Sequence, residues 1–269
     1  MPSVPKLEAI VLAGQRTKGT LAAAGPEPWE ALLPIAGQPM VGYVLEALAA
    51  SGVVRAVHVV GPDWERRAPL DSDCPVTVLA PRDTLWENFD IGLAALASSD
   101  PALVVTGDIP LLAPATVREF AEAAAAADAA AGGVDIVYPL IPRAIVEQEY
   151  PEVHRTYFRL QEGVFTGGNL FWVRPAALTA LRAHAERLLA HRKSPGKLAG
   201  DIGWGVLVRY LLRRLKLAEV ERVAGRLLAV RGVGLVFPHA DAGVDVDKLS
   251  DLELVRRHVA PKAPVLPHA

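Results

Sequence analysis

Cysteine is nearly missing from the sequence: Cys74 is the only one in 269 residues. A single thiol excludes an internal disulfide and a cysteine-rich metal site, and it suits a reducing compartment. Long apolar runs are also missing, and none approaches the roughly 18 residues that a bilayer-spanning helix needs. The first residues, MPSVPKLEAIVLAG, place prolines and a glutamate where a signal peptide would need an unbroken apolar core. A cytoplasmic protein without a membrane partner is therefore expected. Excess charge of one sign is absent too. The formal net charge is -2 and the pI about 6.4, so no global field favours nucleic acid or an anionic surface, and any cationic site must be local. What is present is the composition of a globular chain, 51% hydrophobic and 22% charged, long enough for one large α/β domain or two small ones.

The stretch from Glu8 to Leu48 organises the rest. Ala9 to Leu12 is a short apolar run closed by Gly14, which suits a buried strand. Gln15, Arg16, Thr17, Lys18 and Gly19 then leave the strand's carboxyl end, where open α/β sheets bind ligands. Two cations and free backbone amides there suit an anion such as a triphosphate. Glu30 to Met40 (EALLPIAGQPM) reads as a second apolar, strand-like piece before a Gly-Gln-Pro turn. Pro39 stands where a helix from Met40 to Ser51 would begin.

Further strands are predicted over Val53 to Val60, Val76 to Leu79, Ala102 to Thr106 and Asp135 to Leu140. Helices are predicted between them, over Trp86 to Ser98 and Pro114 to Ala131. This alternation implies a parallel sheet with right-handed crossovers. His58, inside the second strand, reads as a core residue. Asp108 follows the fourth strand directly, between Gly107 and a Pro turn. A carboxylate in that position is costly to bury unless it is paired or holds a cation.

After Pro142 the rhythm changes. His154 to Leu160 and Val164 to Val173 read as two strands of a hairpin, with Arg155 and Arg159 spaced to share a face. Thr166-Gly167-Gly168-Asn169 interrupts the second strand with two glycines, the mark of a bulge or a close approach to the backbone. Helical segments follow over Pro175 to Arg192, Ile202 to Leu215 and Leu217 to Gly225, with a polar linker from Lys193 to Gly200. Arg209, Arg213, Arg214 and Lys216 read as a solvated face, because the neighbouring aromatics are not arranged for base stacking. A last strand, Gly232 to Pro238, precedes Asp245, Val246 and Asp247. A helix from Ser250 to His258 follows, with Ser250 and Glu253 as a capping box. Of Asp245 and Asp247, one is expected to enter a site while the other serves the local turn. The tail from Pro261 to Ala269 is proline-rich.

Several of these strings resemble the MobA-like NTP transferases. Leu12, Ala13 and Gly14 are similar to that family's LAGGxGxRM opening. Ala31, Leu32, Leu33, Pro34, Gly37, Pro39 and Met40 are similar to PKALLPVxGKPM, GDIPLL to GDxPLL, and DVDKLSDLELVRR to the closing DVDTPEDL. The family's second and third loop glycines fall at Gln15 and Thr17, its arginine at Gly19 and its lysine at Glu30. The resemblance runs over nearly the whole chain. It implies a three-layer α/β/α, Rossmann-like fold of the GT-A type with a mixed, mostly parallel sheet, carrying a β-hairpin and a helical insertion in its second half. A single domain is implied, with a nucleotide-binding half at 1–140, an acceptor side at 141–240 and a closing metal-motif segment at 241–260.

By the same resemblance, the reaction is Mg²⁺-dependent transfer of a nucleotidyl group from an NTP to a small phosphorylated acceptor. Asp108 and Asp245 would bind the metal, and Asp247 would be structural. Arg16 and Lys18, with Asp108, would be the catalytic set. Leu12, Ala13, Gly14, Gln15, Arg16, Lys18, Asn88 and Gly107 would bind the nucleotide, Asn88 reading base or ribose or else serving as an ordinary cap. Arg155, Thr166, Gly167, Gly168 and Asn169 would bind the acceptor. A homodimer is compatible with this reading. Two other readings stay open: a non-catalytic nucleotide-binding member of the family, which Glu30 and the missing loop glycines favour, and a GT-A-like glycosyltransferase, which EALLPIAGQPM disfavours.

Overall fold

The computed structural model describes residues 6–64, 72–178, 181–182, 184 and 200–259. Most of the helix expected over Pro175 to Arg192, the linker after it and the tail from Pro261 lie outside them. The described chain runs β1 (Leu7–Leu12), β2 (Pro34–Ile35), β3 (Gln38–Pro39), α1 (Met40–Ala50), β4 (Val54–Val60), β5 (Val76–Leu79), α2 (Leu85–Ala95), β6 (Ala102–Thr106), α3 (Pro114–Ala130), β7 (Ile136–Pro142), α4 (Arg143–Glu149), β8 (Phe158–Leu160), β9 (Gly163–Gly167), β10 (Leu170–Val173), α5 (Trp204–Leu211), α6 (Leu217–Leu228), β11 (Gly232–Val236) and α7 (Leu249–His258). Nine strands form one mixed sheet in the order β5-β4-β1-β6-β10-β7-β9-β8, with β11 also pairing β7. The α/β architecture expected from the sequence is the one observed.

Contacts divide the chain into two compact units, one drawn from 1–97, 104–119 and 241–269, the other from 98–103 and 120–240. In the first unit β4 pairs in parallel with β1 and β5. Ala9, Ile10 and Val11 are fully buried, as continuous apolar strands covered on both faces must be. Helix α1 is apolar almost all round and buries Val44, Leu45 and Leu48. The segment before it differs from the strand-like expectation. Glu30–Leu32 is a short 3-10 turn, and β2 and β3 form a small hairpin through Ala36 and Gly37, at φ 47° and 88°. The turn is thus Ala-Gly, and Gln38 and Pro39 belong to the returning strand. Asp241 closes this unit. Its Oδ2 accepts the Ala113 N–H at 2.8 Å and the Thr116 hydroxyl at 2.6 Å, which satisfies free donors at the start of α3.

In the second unit, β7 is antiparallel to β10 and β9 and parallel to β11. Phe120 and Phe237 meet edge to face within its core at 5.4 Å. The strand expected over Val164 to Val173 is broken in two. Gly167 pairs with Leu140 and Trp172 with Val137, so five steps on one side face three on the other. The two extra residues are Gly168 and Asn169, and the Gly168 N–H donates to Pro139 O at 3.1 Å. The double glycine therefore marks a bulge. The partner strand is shorter than expected, because the β8 ladder begins at Phe158 opposite Phe165. Arg155 consequently precedes the strand and does not share a strand face with Arg159. The sequence also gave no expectation of α4.

The final cap differs as well. Helix α7 begins at Leu249 after Lys248, and the Asp251 carboxylate accepts the Asp247 and Lys248 N–H groups at 3.2 and 3.1 Å. Ser250 lies two residues past the cap position, inside the helix. Replacing Asp241 by Ala removes a buried acceptor from two donors. It is expected to destabilise the fold by about 1–3 kcal/mol, with a smaller loss for Asp241→Asn, which retains one acceptor oxygen. Denaturant unfolding of both variants measures the difference.

Candidate active site

The first unit's strands end in a staircase of backbone bonds. The Ala13 N–H donates to Val60 O at 2.9 Å, Gly61 N–H to Leu79 O at 3.0 Å and Gly107 N–H to Leu12 O at 2.9 Å. Each connecting loop therefore leaves its strand at a fixed height. At that height Gly14 is crowded: a Cβ placed there would lie 2.7 Å from Pro81 Cβ and 2.9 Å from Asn88 Nδ2. Asn88 is buried, and its Oδ1 accepts the Arg82 N–H at 2.6 Å. It does not cap α2, which Thr84 caps with Glu87. Asn88 instead ties the loop after β5 to the loop after β1. Leu12, Ala13, Gly14, Asn88 and Gly107 are thus brought together at the carboxyl ends of the strands.

Beyond Gly14 the loop folds back along residues 28–30. Gln15 O accepts the Glu30 N–H at 3.1 Å, and the Thr17 N–H donates to Pro28 O at 3.0 Å. Between these bonds, the Arg16 guanidinium lies 3.8 Å from the centre of the Trp29 ring, a cation–π contact that orders an exposed arginine. Gln15 Nε2 donates to Glu30 Oε2 at 2.7 Å. Two of the departures from the family motif, Gln15 for glycine and Glu30 for lysine, are therefore partners of each other. That coincidence was the available signal for their pairing. Thr17, at the third glycine position, holds a buried hydroxyl with no hydrogen-bond partner. Sequence reading assigned it no role.

Asp108 stands at the end of β6, its carboxylate accepting the Thr106 hydroxyl. Its backbone carbonyl accepts the Val246 N–H at 2.9 Å, which fastens the closing DVD segment to the GDIPLL loop. Asp245 is half-buried and Asp247 exposed on either side of buried Val246, the alternation that extended chain imposes. Glu30 registers this surrounding charge. Burial pushes its carboxyl up from the ordinary 4.5; the Gln15 hydrogen bond opposes the shift, Asp108 and Asp247 add to it, and Lys18 counters. Asp247, read from the sequence as serving the turn, is thus the closing carboxylate whose charge reaches Glu30 together with Asp108.

The candidates for the acceptor lie in the second unit. Thr166 is buried in β9, and Gly167 is overlain by Tyr138, whose hydroxyl sits where a Cβ would project. Gly168 and Asn169 form the bulge. Tyr138 packs against Phe171 at 5.5 Å, and its hydroxyl pKa is raised by burial and lowered in part by the nearby Arg155. Arg143 lies 5.3 Å from the Tyr157 ring. Tyr138, Tyr157 and Arg143 carried no motif that could single them out. His58 is buried in β4, as expected for a core residue.

Comparison with known proteins fits this arrangement. A family model described as MobA-like NTP transferase domain matches residues 9–192. The chain belongs to that family. A solved structure described as a hypothetical transferase from Thermus thermophilus is 37% identical, with a TM-score of 0.76 over 92% of this chain and 99% of the other. A nucleotidyl transferase from Methanothermobacter thermautotrophicus shares the fold at 19% identity and a TM-score of 0.54, covering 94% and 97%. Among curated relatives, the bifunctional protein GlmU of Rhodospirillum rubrum is 34% identical over 125 residues, 46% of this chain and 27% of that protein. The match thus spans about a quarter of the GlmU relative's length. No helix among the described residues is long and apolar enough to cross a membrane.

A carboxyl group whose pKa is higher in the folded than in the unfolded chain binds its proton more tightly when folded. Its ionisation therefore costs stability as pH rises through the folded value. Glu30→Gln keeps an acceptor for Gln15 and removes the charge. This variant is expected to melt at a higher temperature than the parent near pH 8 and at the same temperature near pH 4, below the unfolded value. Thermal unfolding across that range gives the comparison.

Proposed function

We propose that this member of the family is an Mg²⁺-dependent nucleotidyltransferase acting on an NTP and a small phosphorylated acceptor. The observation that carries the reading is the fastening of Asp108: a strand-end carboxylate oriented by Thr106 and tied through Val246 to the segment bearing Asp245 and Asp247. In the reaction an acceptor phosphate oxygen bonds to the α-phosphorus of the NTP. The bond between the α-phosphorus and its bridging oxygen to the β-phosphate breaks, and pyrophosphate leaves with that electron pair. No side-chain nucleophile is needed, so the protein's work is to position and to balance charge.

Among the described residues, no group of three or more His, Cys, Asp or Glu side chains is placed to hold a metal. The donors near Asp108 are nonetheless hard carboxylate oxygens, and Mg²⁺ usually takes one or two of these plus waters and substrate phosphates. The residues fit that ion. Asp108 and Asp245 would hold it, with Asp247 within electrostatic reach, and when bound it would neutralise phosphate charge. Amides after Gly14, with Arg16 and Lys18, hold the β- and γ-phosphates. Asn88 sets the wall on which the nucleoside rests. Arg155 and the bulge at Gly167, Gly168 and Asn169 serve the acceptor phosphate. A homodimer and a cytoplasmic location accord with the reading.

Pyrophosphate release from an NTP offered with phosphorylated sugars and alcohols checks the proposal. Asp108→Ala is expected to lower the rate by at least about 10²-fold. Lys18→Ala is expected to weaken NTP binding with a smaller effect on the rate at saturation. Release of a nucleoside diphosphate from a nucleotide-sugar would instead indicate glycosyl transfer. One observation favours a second reading, a non-catalytic nucleotide binder: Glu30 places a buried carboxylate where the family motif has lysine. If Glu30→Lys creates pyrophosphate release that the parent lacks, the chain has lost its catalysis.

A further inference from the structure

The helical pair of the second unit is apolar on two sides. Val206, Leu207 and Tyr210 of α5 line a cavity shared with Val220, Val223 and Leu227 of α6, and this face is accounted for. Away from it, Trp204, Val208, Leu211 and Leu212 are 69%, 50%, 78% and 60% exposed. At about 100° per residue these four positions fall in one stripe about 100° wide. Scattered apolar residues on a surface need no explanation, but a contiguous stripe of large ones marks a surface that something covers.

The charge beside the stripe says what covers it. Between positions 201 and 216 the only acidic residue is Asp201, against Arg209, Arg213, Arg214 and Lys216, in a chain whose net charge is -2. Arg209 pairs with Glu219 at 3.2 Å, and the nearby Glu162 accepts the Leu217 N–H at 3.1 Å, so both neighbouring carboxylates are engaged. Arg213 and Arg214 are exposed where α5 ends. The Arg213 N–H bonds to Tyr210 O at 2.9 Å and the Arg214 N–H to Arg209 O at 2.8 Å, which fixes both residues beside Leu211 and Leu212.

We propose that α5 lies on an anionic lipid surface. Trp204, Val208, Leu211 and Leu212 enter the boundary between headgroups and acyl chains, and Arg213, Arg214 and Lys216 meet the headgroup charge. A short helix with a tryptophan, leucines and flanking arginines lies in such an interface; it does not span the bilayer. A second copy fits less well, since two-fold packing through the same stripe would bring like charges of both copies together. A fluid headgroup layer also receives protruding side chains without a shaped groove. The low overall charge gave no reason to expect this contact, which is local in origin.

The test uses the full chain and two kinds of vesicle, phosphatidylcholine alone and phosphatidylcholine with about 30% phosphatidylglycerol, at low and high salt. Co-sedimentation with the anionic vesicles at low salt is expected, with a blue shift of tryptophan emission. Binding is expected to fall about tenfold or more with phosphatidylcholine alone, with Leu211→Asp, and with Arg213→Glu combined with Arg214→Glu. Both variants change exposed side chains, so unchanged melting temperatures would show that the fold persists. Absence of binding to either vesicle overturns the proposal. So does self-association in sedimentation, abolished by Leu211→Asp, without vesicle binding, which would assign the stripe to a second copy. Pyrophosphate release is read separately, so either result leaves the transferase reading to its own test.

Discussion

The first unit depends on the bonds made just past the strand ends. Three successive N–H groups, of Ala13, Gly61 and Gly107, each reach across to the last carbonyl of a neighbouring strand or the residue beside it. These bonds hold the three loops at one level. Ala13 is the small side chain at their centre, 4% exposed, and a Cβ added at Gly107 would come within 3.0 Å of its methyl group. Loops held this tightly can present backbone amides and a carboxylate at fixed spacing. A transferase without a side-chain nucleophile requires that kind of order, because it stabilises charge by groups already in place.

The charge distribution around this frame is unusual for the family motif and internally consistent. Glu30 takes a place where a lysine is expected, and Gln15 takes a glycine's place and donates to it. Burial first, then Asp108 and Asp247, press Glu30 toward its neutral form, while the Gln15 hydrogen bond and Lys18 favour the charged form. Positive charge near the loop is carried instead by Arg16, held over Trp29, and by Lys18. Arg16 and Lys18 stand on the loop itself, and the buried carboxylate is bonded on one side by Gln15. This balance is compatible with phosphate binding at the exposed edge of the loop and not at the position of Glu30 itself.

Much of this was legible in the sequence. The first strand, Asp108 and the closing Asp245-Val246-Asp247 run could be read because each combines an apolar strand with a residue that packing does not explain. Gly167 and Gly168 announced the bulge for the same reason. What escaped reading depended on partners distant in sequence. Ser250 is the preferred cap residue by type, and only the Asp251 carboxylate bonding back to the Lys248 N–H sets the helix start at Leu249. Arg155 and Arg159 match a strand period, but the ladder with β9 ends at Phe158. The aromatic pair Tyr138 and Phe171 and the contact between Arg16 and Trp29 have no local signature at all.

The central claim is that the strand-end frame with Asp108 holds a metal-bound nucleoside triphosphate. Calorimetric titration of each of the four NTPs, with and without Mg²⁺, into the parent and Asp108→Ala proteins tests it most directly. The account predicts Mg²⁺-dependent binding of one NTP, lost in Asp108→Ala while the variant remains folded. Binding that persists unchanged without Mg²⁺ or without the Asp108 carboxylate, or no binding of any NTP by the folded parent, would contradict it.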